Sequence, residues 1–278
     1  MKKIDLHSHS TASDGTYSPS ELIIEAKNRG VEVIALTDHD NIDGIEEARK
    51  KSLELGIEFV NGIEFSTEYL GKEIHILGYY YDEKNEKFLK LIEKLKIERE
   101  NRTKIILEKL AKYKCYITME ELKKEVKGNL ISRAHIANVM INKGFVYSKS
   151  EAFKIYLRAG GLASEPRKEL DPIEAVKIIK EIGGISSLAH PKLTGFKEKE
   201  LEELIGKLKE NGLNALEACY PEHKPSDEKK YKELCIKYDL LYTGGSDFHG
   251  LNRPENLLGV NGIEHNEFEG LKRLKKML

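Results

Sequence analysis

The chain has 278 residues, 40% of them hydrophobic and 33% charged, with a formal net charge of −1. That describes an ordinary soluble protein with a real core, long enough for one large α/β domain or a barrel carrying an insertion. No run approaches the roughly 18 apolar residues of a membrane helix, the N-terminus enters a strand with no signal peptide, and Cys115, Cys219 and Cys235 form no CxxC pair. A cytoplasmic protein with reduced thiols and no membrane association is expected.

Residues 1–9 read MKKIDLHSH. Their period-two alternation predicts a strand, and His7 and His9, two apart, point to one face at its end. A polar loop with Asp14-Gly15 follows. Ser18-Pro19-Ser20-Glu21 then starts a helix: Ser18 caps, Pro19 fits the first position and Glu21 completes a capping box. Gly30 stops it. Residues 31–37 (VEVIALT) form a buried strand ending in Asp38-His39-Asp40, and a second helix runs to about Gly56. Residues 57–65 (IEFVNGIEF) are a third strand finishing at Glu64, and residues 73–81 (EIHILGYYY) a fourth carrying His75. Strands alternating with helices indicate βα units and a largely parallel sheet, in which active sites collect at the strands' C-terminal ends.

The rhythm then breaks. Residues 82–113 are one long helical pattern, Thr118-x-x-Glu121 and Ser132-Arg133-Ala134-His135 open further helices, and residues 148–157 give another. With no convincing strand between them, residues 97–165 are expected to be a small all-helical insertion in a barrel made of residues 1–96 and 166–278. Residues 96–165 hold 15 Lys and Arg against 8 Asp and Glu, a local +7 that leaves −8 elsewhere. Such a segment suits an anionic substrate, although solvated helix faces give the same count. The βα rhythm resumes at Asp171-Pro172-Ile173-Glu174. Three more strands follow, at residues 184–189 ending in His190-Pro191, 215–219, and 240–243, the last opening into Gly245-Ser246-Asp247-Phe248-His249.

The polar residues at strand ends are His7, His9, Asp14, His39, Glu64, His75, His190, Asp247 and His249. Neutral imidazoles with hard carboxylates suit Zn, Mn or Fe in a multinuclear site. Nine ligands exceed the needs of one ion and could hold two or three, with Glu64 bridging. Three divalent ions against three carboxylates leave about +3, matched to a phosphate, and would lower a water pKa from about 15.7 toward 7. Taken singly, each position also reads as a cap or surface group, and His75, inside an apolar run, as a hydrogen-bonded core histidine. Six of nine histidines at strand ends or edges is not a chance pattern.

These motifs, taken together over residues 1–249, resemble the PHP (polymerase and histidinol phosphatase) domain family. The resemblance implies a distorted (β/α)7 TIM-like barrel with three divalent metal ions (Mn, Fe or Zn). It implies His7, His9, Glu64 and Asp247 at one ion, Glu64, His75 and His190 at the second, and Asp14, His39 and His249 at the third. The helical insertion and Ser132-Arg133-Ala134-His135 are most similar to stand-alone phosphoesterases acting on nucleoside 3′,5′-bisphosphates or trimming short RNA from its 5′ end. On that likeness Arg133 contacts substrate phosphate, His135 assists catalysis, and His223, in Tyr220-Pro221-Glu222-His223, approaches the nucleotide. The plainer alternatives are a solvent-exposed first-turn arginine and a surface-loop histidine. After Gly160-Gly161 this chain has Leu162-Ala163-Ser164-Glu165 where such members carry an apolar-aromatic segment. The expected substrate is a small phosphorylated molecule, a nucleotide or short oligoribonucleotide, attacked by a metal-bridged hydroxide, with no obligate protein partner. Histidinol phosphate is the alternative substrate, and an inactive binding module the alternative class. An amidohydrolase would need a bridging mid-barrel lysine, and none is suitably placed.

Overall fold

A computed structural model of the protein describes residues 3–126, 130–166 and 170–278; Met1 and Lys2, assigned above to the first strand, lie outside them. Strands β1 (Lys3–Asp5), β2 (Val31–Leu36), β3 (Glu58–Tyr69), β4 (Lys72–Tyr79), β5 (Ile185–Leu188), β6 (Ala215–Cys219) and β7 (Leu241–Gly244) form one sheet in chain order. Its two edges meet: Leu6 N–H donates to Gly244 O at 3.1 Å, His9 N–H donates to Phe248 O at 2.9 Å, and Ser8 bridges Phe248 in parallel. The sheet is thus a closed, distorted barrel.

The expectation of a largely parallel sheet needs one correction. β4 runs antiparallel to both β3 and β5. No helix separates β3 from β4. Leu70 and Gly71, both at positive φ (51° and 71°), fold them into a tight hairpin, the conformation that a two-residue turn between twisted strands requires.

The helices begin where their capping residues stand. Ser18 opens α1 (Pro19–Asn28) with a capping box, and Gly56 ends α2 (Ile45–Leu55) in the left-handed region. Leu22, Ile23 and Ala26 of α1 and Ala48 of α2 pack with Ile34 and Leu36 of β2. Ile4, Val33, Val60, Leu77 and Ile185, one from each of five neighbouring strands, form a second cluster, each 3% exposed or less. Each such side chain contributes about 1.5–3 kcal/mol on burial. Helices α7 (Pro172–Glu181), α8 (Glu198–Glu210), α9 (Pro225–Lys237) and α10 (His265–Met277) complete the barrel.

Between β4 and β5 lie α3 (Glu86–Lys112), α4 (Met119–Glu125), α5 (Arg133–Asn142) and α6 (Lys149–Ala152). Residue 97 falls inside α3, which is unbroken. Phe88, Ile92 and Leu95 of this helix join the core formed with β3, β4 and α7, whereas Ile106, Leu107 and Leu110 join a separate cluster with Leu122, Ile136, Met140 and Ala163. The helix expected over residues 148–157 is α6 continued by a π-helical turn, Phe153–Leu157. Thr118 and Ser132 cap α4 and α5, as their spacing predicts. Among the described residues no helix is long and apolar enough to cross a membrane, and the three cysteines are buried and unpaired.

Candidate metal centre

Most of the polar clusters emerge where a strand stops, but Glu64 and His75 lie inside strands, because β3 runs past the expected end at residue 65 to Tyr69 and pairs with β4. β1 ends at Asp5, so His7 and His9 stand just beyond it, their rings 5.1 Å apart. His39 follows β2 and bridges Glu64 of β3; His75 lies on β4, His190 just after β5, and Asp247 and His249 after β7. Gly245 permits the crossing of β7 over the first segment. A Cβ there would lie 2.4 Å from His7 N, so only glycine fits. Asp40, His190 and Asp247 have positive φ (49°, 26° and 49°), a conformation costing about 1–3 kcal/mol that the surrounding contacts must hold.

Glu64 is the hub, 1% exposed. Its Oε2 lies 3.2 Å from His7 Nε2, His9 Nε2 and His39 Nδ1, and its Oε1 lies 2.8 Å from His75 Nδ1 and 3.0 Å from His190 Nε2. Asp247 Oδ1 is 3.1 Å from His9 Nε2 and 3.4 Å from both His7 Nε2 and His249 Nδ1, and Asp14 Oδ1 is 3.2 Å from His249 Nε2. The imidazoles form a continuous chain of ring contacts: His249 stacks on His9 at 4.1 Å and His9 on His39 at 4.7 Å, and His75 meets His39 and His190 edge to face, each at 5.0 Å.

Three sets of ligand atoms lie within 4.8 Å of one another: His7, His9, Glu64 and Asp247; His9, Asp14, His39 and His249; and His39, Glu64 and His75. The first is the set the family resemblance implies. In the others His9 and His39 are each shared with a neighbouring set, and His190, in none of the three, sets its Nε2 3.0 Å from Glu64 Oε1. The donor set fits divalent cations. His7 Nε2, both ring nitrogens of His9, Asp14 Oδ1 and Glu64 Oε2 are buried without hydrogen-bond geometry, although several stand 3.1–3.4 Å apart. Buried polar atoms are otherwise almost always paired. Lone pairs directed at a common point are what a cation requires.

The charges agree. Burial would raise Glu64, but the facing histidines hold its carboxyl well below the usual range; Asp14 is depressed against burial by His249 and His39, and Asp247 by Arg253 and His7. Burial pushes His9 down, yet Asp247 and Glu64 bring it up to about 9, and Glu64 does the same for His75. His39 goes the other way, to about 3, because burial there outweighs Glu64 and Asp14.

A second layer escaped sequence reasoning. Glu217 of β6, fully buried, holds His7 Nδ1 with Oε1 at 2.9 Å and accepts the His190 N–H on Oε2 at 2.7 Å. Its only signal is a glutamate within the apolar run ALEAC. Asp5 accepts the Ser246 and Gly259 N–H groups at 2.9 and 2.8 Å, fixing the seam. Asp247 Oδ2 accepts from Tyr220 Oη at 2.8 Å and from Arg253. Such partners orient metal-binding groups.

Above this floor opens a cleft of about 440 Å³ bearing Arg99, Arg102, Arg133, Lys149, Arg158 and Arg253. Arg133, first residue of α5, lines it and pairs with Glu73. His135 does not line it. Its buried ring caps its own helix, Nδ1 accepting the Ser132 N–H at 3.0 Å. His223 is not a surface-loop residue: 7% exposed, it donates from Nδ1 to Ala218 O at 2.8 Å and packs between Tyr220 and Tyr231, outside the cleft lining.

Comparison with known proteins agrees with this architecture. Residues 5–160 match the PHP domain. A 5′-3′ exoribonuclease of Haemophilus influenzae is 37% identical over 248 residues, 89% of this chain and 90% of that protein. A 3′,5′-nucleoside bisphosphate phosphatase of Chromobacterium violaceum is 31% identical over 254 residues, covering 90% and 88%. A Bifidobacterium adolescentis protein, solved as a candidate metal-dependent phosphoesterase, superposes with a TM-score of 0.87 at 28% identity, covering 98% of this chain and 96% of its own.

Proposed function

The chain belongs to the PHP domain family and is a phosphoester hydrolase, and from that premise we propose that it acts on phosphorylated nucleotides, nucleoside 3′,5′-bisphosphates or 5′-phosphorylated short RNA, using three divalent ions (Mn, Fe or Zn). The observation that carries this reading is the convergence of eight candidate ligands, with His190 against Glu64 beside them, beneath a cationic cleft sized for a nucleotide. His7, His9, Asp14, His39, Glu64, His75, His190, Asp247 and His249 would hold the ions. Bound divalent cations supply charge for phosphoryl oxygens and acidify the attacking water.

The chain's own residues do the rest. Glu64 reaches five histidines and so fixes the separation of the ligand sets. Glu217 sets the tautomer of His7, whose Nδ1–H points to the carboxylate and whose Nε2 is left as a lone pair. Tyr220 and Arg253 hold one oxygen of Asp247 and leave the other to the centre. Arg133 receives a substrate phosphate on its planar fork, and Lys149 and Arg158 offset the remaining charge from the rim. His135 positions Arg133 by capping α5. His223 supports Tyr220 from below, and its role toward the nucleotide is indirect. The unpaired buried thiols fit a cytoplasmic setting.

The test is a side-by-side assay of the Mn²⁺-loaded protein on adenosine 3′,5′-bisphosphate, AMP, 5′-phosphorylated short RNA and histidinol phosphate, with bound metal counted by mass spectrometry. Nucleotide substrates are expected to dominate. Preference for histidinol phosphate, or a stoichiometry of one ion, would overturn the proposal.

A further inference from the structure

Arg133 is already occupied. Its Nη2 lies 2.8 Å from Glu73 Oε1 and 2.6 Å from Oε2, so both carboxylate oxygens converge on one nitrogen. Nη1 donates to Leu157 O at 3.3 Å, and the guanidinium stands 5.7 Å from the Phe153 ring. Glu73 lies on β4 two residues before His75, and its Oε1 is also 3.3 Å from His75 Nε2. Arg133 and Glu73 line both the central cleft and an adjoining hollow of about 370 Å³ beside Gly160 and Gly161.

The guanidinium geometry gives this contact a consequence. Arginine grips an oxyanion through either of two forks, Nη1 with Nη2 or Nε with Nη2, and Nη2 belongs to both. A carboxylate seated on Nη2 therefore blocks every two-point grip on phosphate. We propose that Glu73 is a tethered competitor for Arg133, which a substrate phosphate must displace and which resets the arginine when the product leaves. This rests on the reading of Arg133 as a phosphate-binding residue. On displacement Glu73 is not stranded, because the His75 ring lies beside it. An internal ligand of this kind lowers the affinity of every anion that needs the fork by one common factor, the population cost of opening the pair. Inorganic phosphate released by hydrolysis is among those anions, so the same contact limits product inhibition.

The experiment compares wild type, Glu73→Gln, Glu73→Asp and Arg133→Met, with Glu73→Gln also made in the Arg133→Met background. AMP and inorganic phosphate are titrated calorimetrically into chelator-treated protein, and phosphate inhibition is measured on the Mn²⁺-loaded enzyme. Glu73→Gln should tighten binding of both probes about fivefold, the factor expected of a partly exposed ion pair. Glu73→Asp keeps the charge but withdraws it from Nη2, and should recover part of that gain, which separates competition from a general field effect. In the Arg133→Met background the gain should fall below about twofold. Weaker binding in Glu73→Gln, no change, or the same gain without Arg133 would overturn the inference. Thermal melts identify a variant that misfolds, and Glu73→Asp then carries the test. Wild-type turnover is read separately, so failure of the competitor is distinguishable from failure of the phosphoesterase reading.

Discussion

Glu64 and Arg133 face the same cleft and are held in different ways. Glu64 sits inside β3, 1% exposed, with five imidazoles around it. Arg133 opens a helix of the insertion, with 18% of its side chain exposed and Glu73 as its carboxylate partner. Groups carried on adjacent strands inherit their spacing from the sheet register, so they are fixed before any ligand arrives. Groups on the insertion depend on a separate core and on polar bridges to the barrel: Arg99 to Asp40, Arg133 to Glu73, Lys149 to Asn252. The centre is therefore built for constancy and the rim for adjustment.

Substitutions can break that contrast or sharpen it. Asp247→Ala should have the largest effect, a loss on the order of 10³-fold in kcat/KM together with reduced metal content in the purified protein. Unchanged activity would show that the floor of the cleft is not the reacting centre. Leu110→Ala, in the insertion core and fully buried, should cost about 2–5 kcal/mol of stability. If the two regions are as separate as their cores, early proteolysis will fall in the insertion while metal affinity survives; loss of both together would join them into one unit. Glu217→Gln should be milder, weakening metal binding about 10- to 100-fold with little change in the melting temperature. A wild-type affinity would mean that His7 needs no buried partner.

The floor was legible in the sequence because most of its residues stand where an apolar run gives way to polar residues, and that position is a local property; Glu64 and His75 were found the same way although β3 and β4 run past them. His7, His39, Glu64 and Asp247 each announce themselves against an apolar run. Glu217 was hidden for the opposite reason, lying in the middle of such a run. Arg253 was missed because no local pattern ties it to Asp247, six residues earlier across a 3-10 turn. The strand count followed from the apolar and alternating runs along the chain, but the direction of β4 depended on two residues, Leu70 and Gly71, adopting positive φ. His135 and His223 show the limit of residue type as a guide. The same imidazole serves as a helix cap in one place and as core packing in the other, and only burial and partners separate these from a ligand.

The seam at Gly245 also bears on how the protein is made. His7 and His9 meet Asp247 and His249 only when the first strand lies against the last, across some 240 intervening residues. While the chain is still being synthesised, the first histidines have no carboxylate from the last strand to share an ion with. The set of His7, His9, Glu64 and Asp247 can form only after the barrel closes, so an ion held there would be captured late, whereas His39, Glu64 and His75 come together within the first four strands. Contacts of such high sequence separation slow folding. A chain truncated before its last strand would linger with its edge strands unpaired, the state in which β-rich intermediates associate with one another.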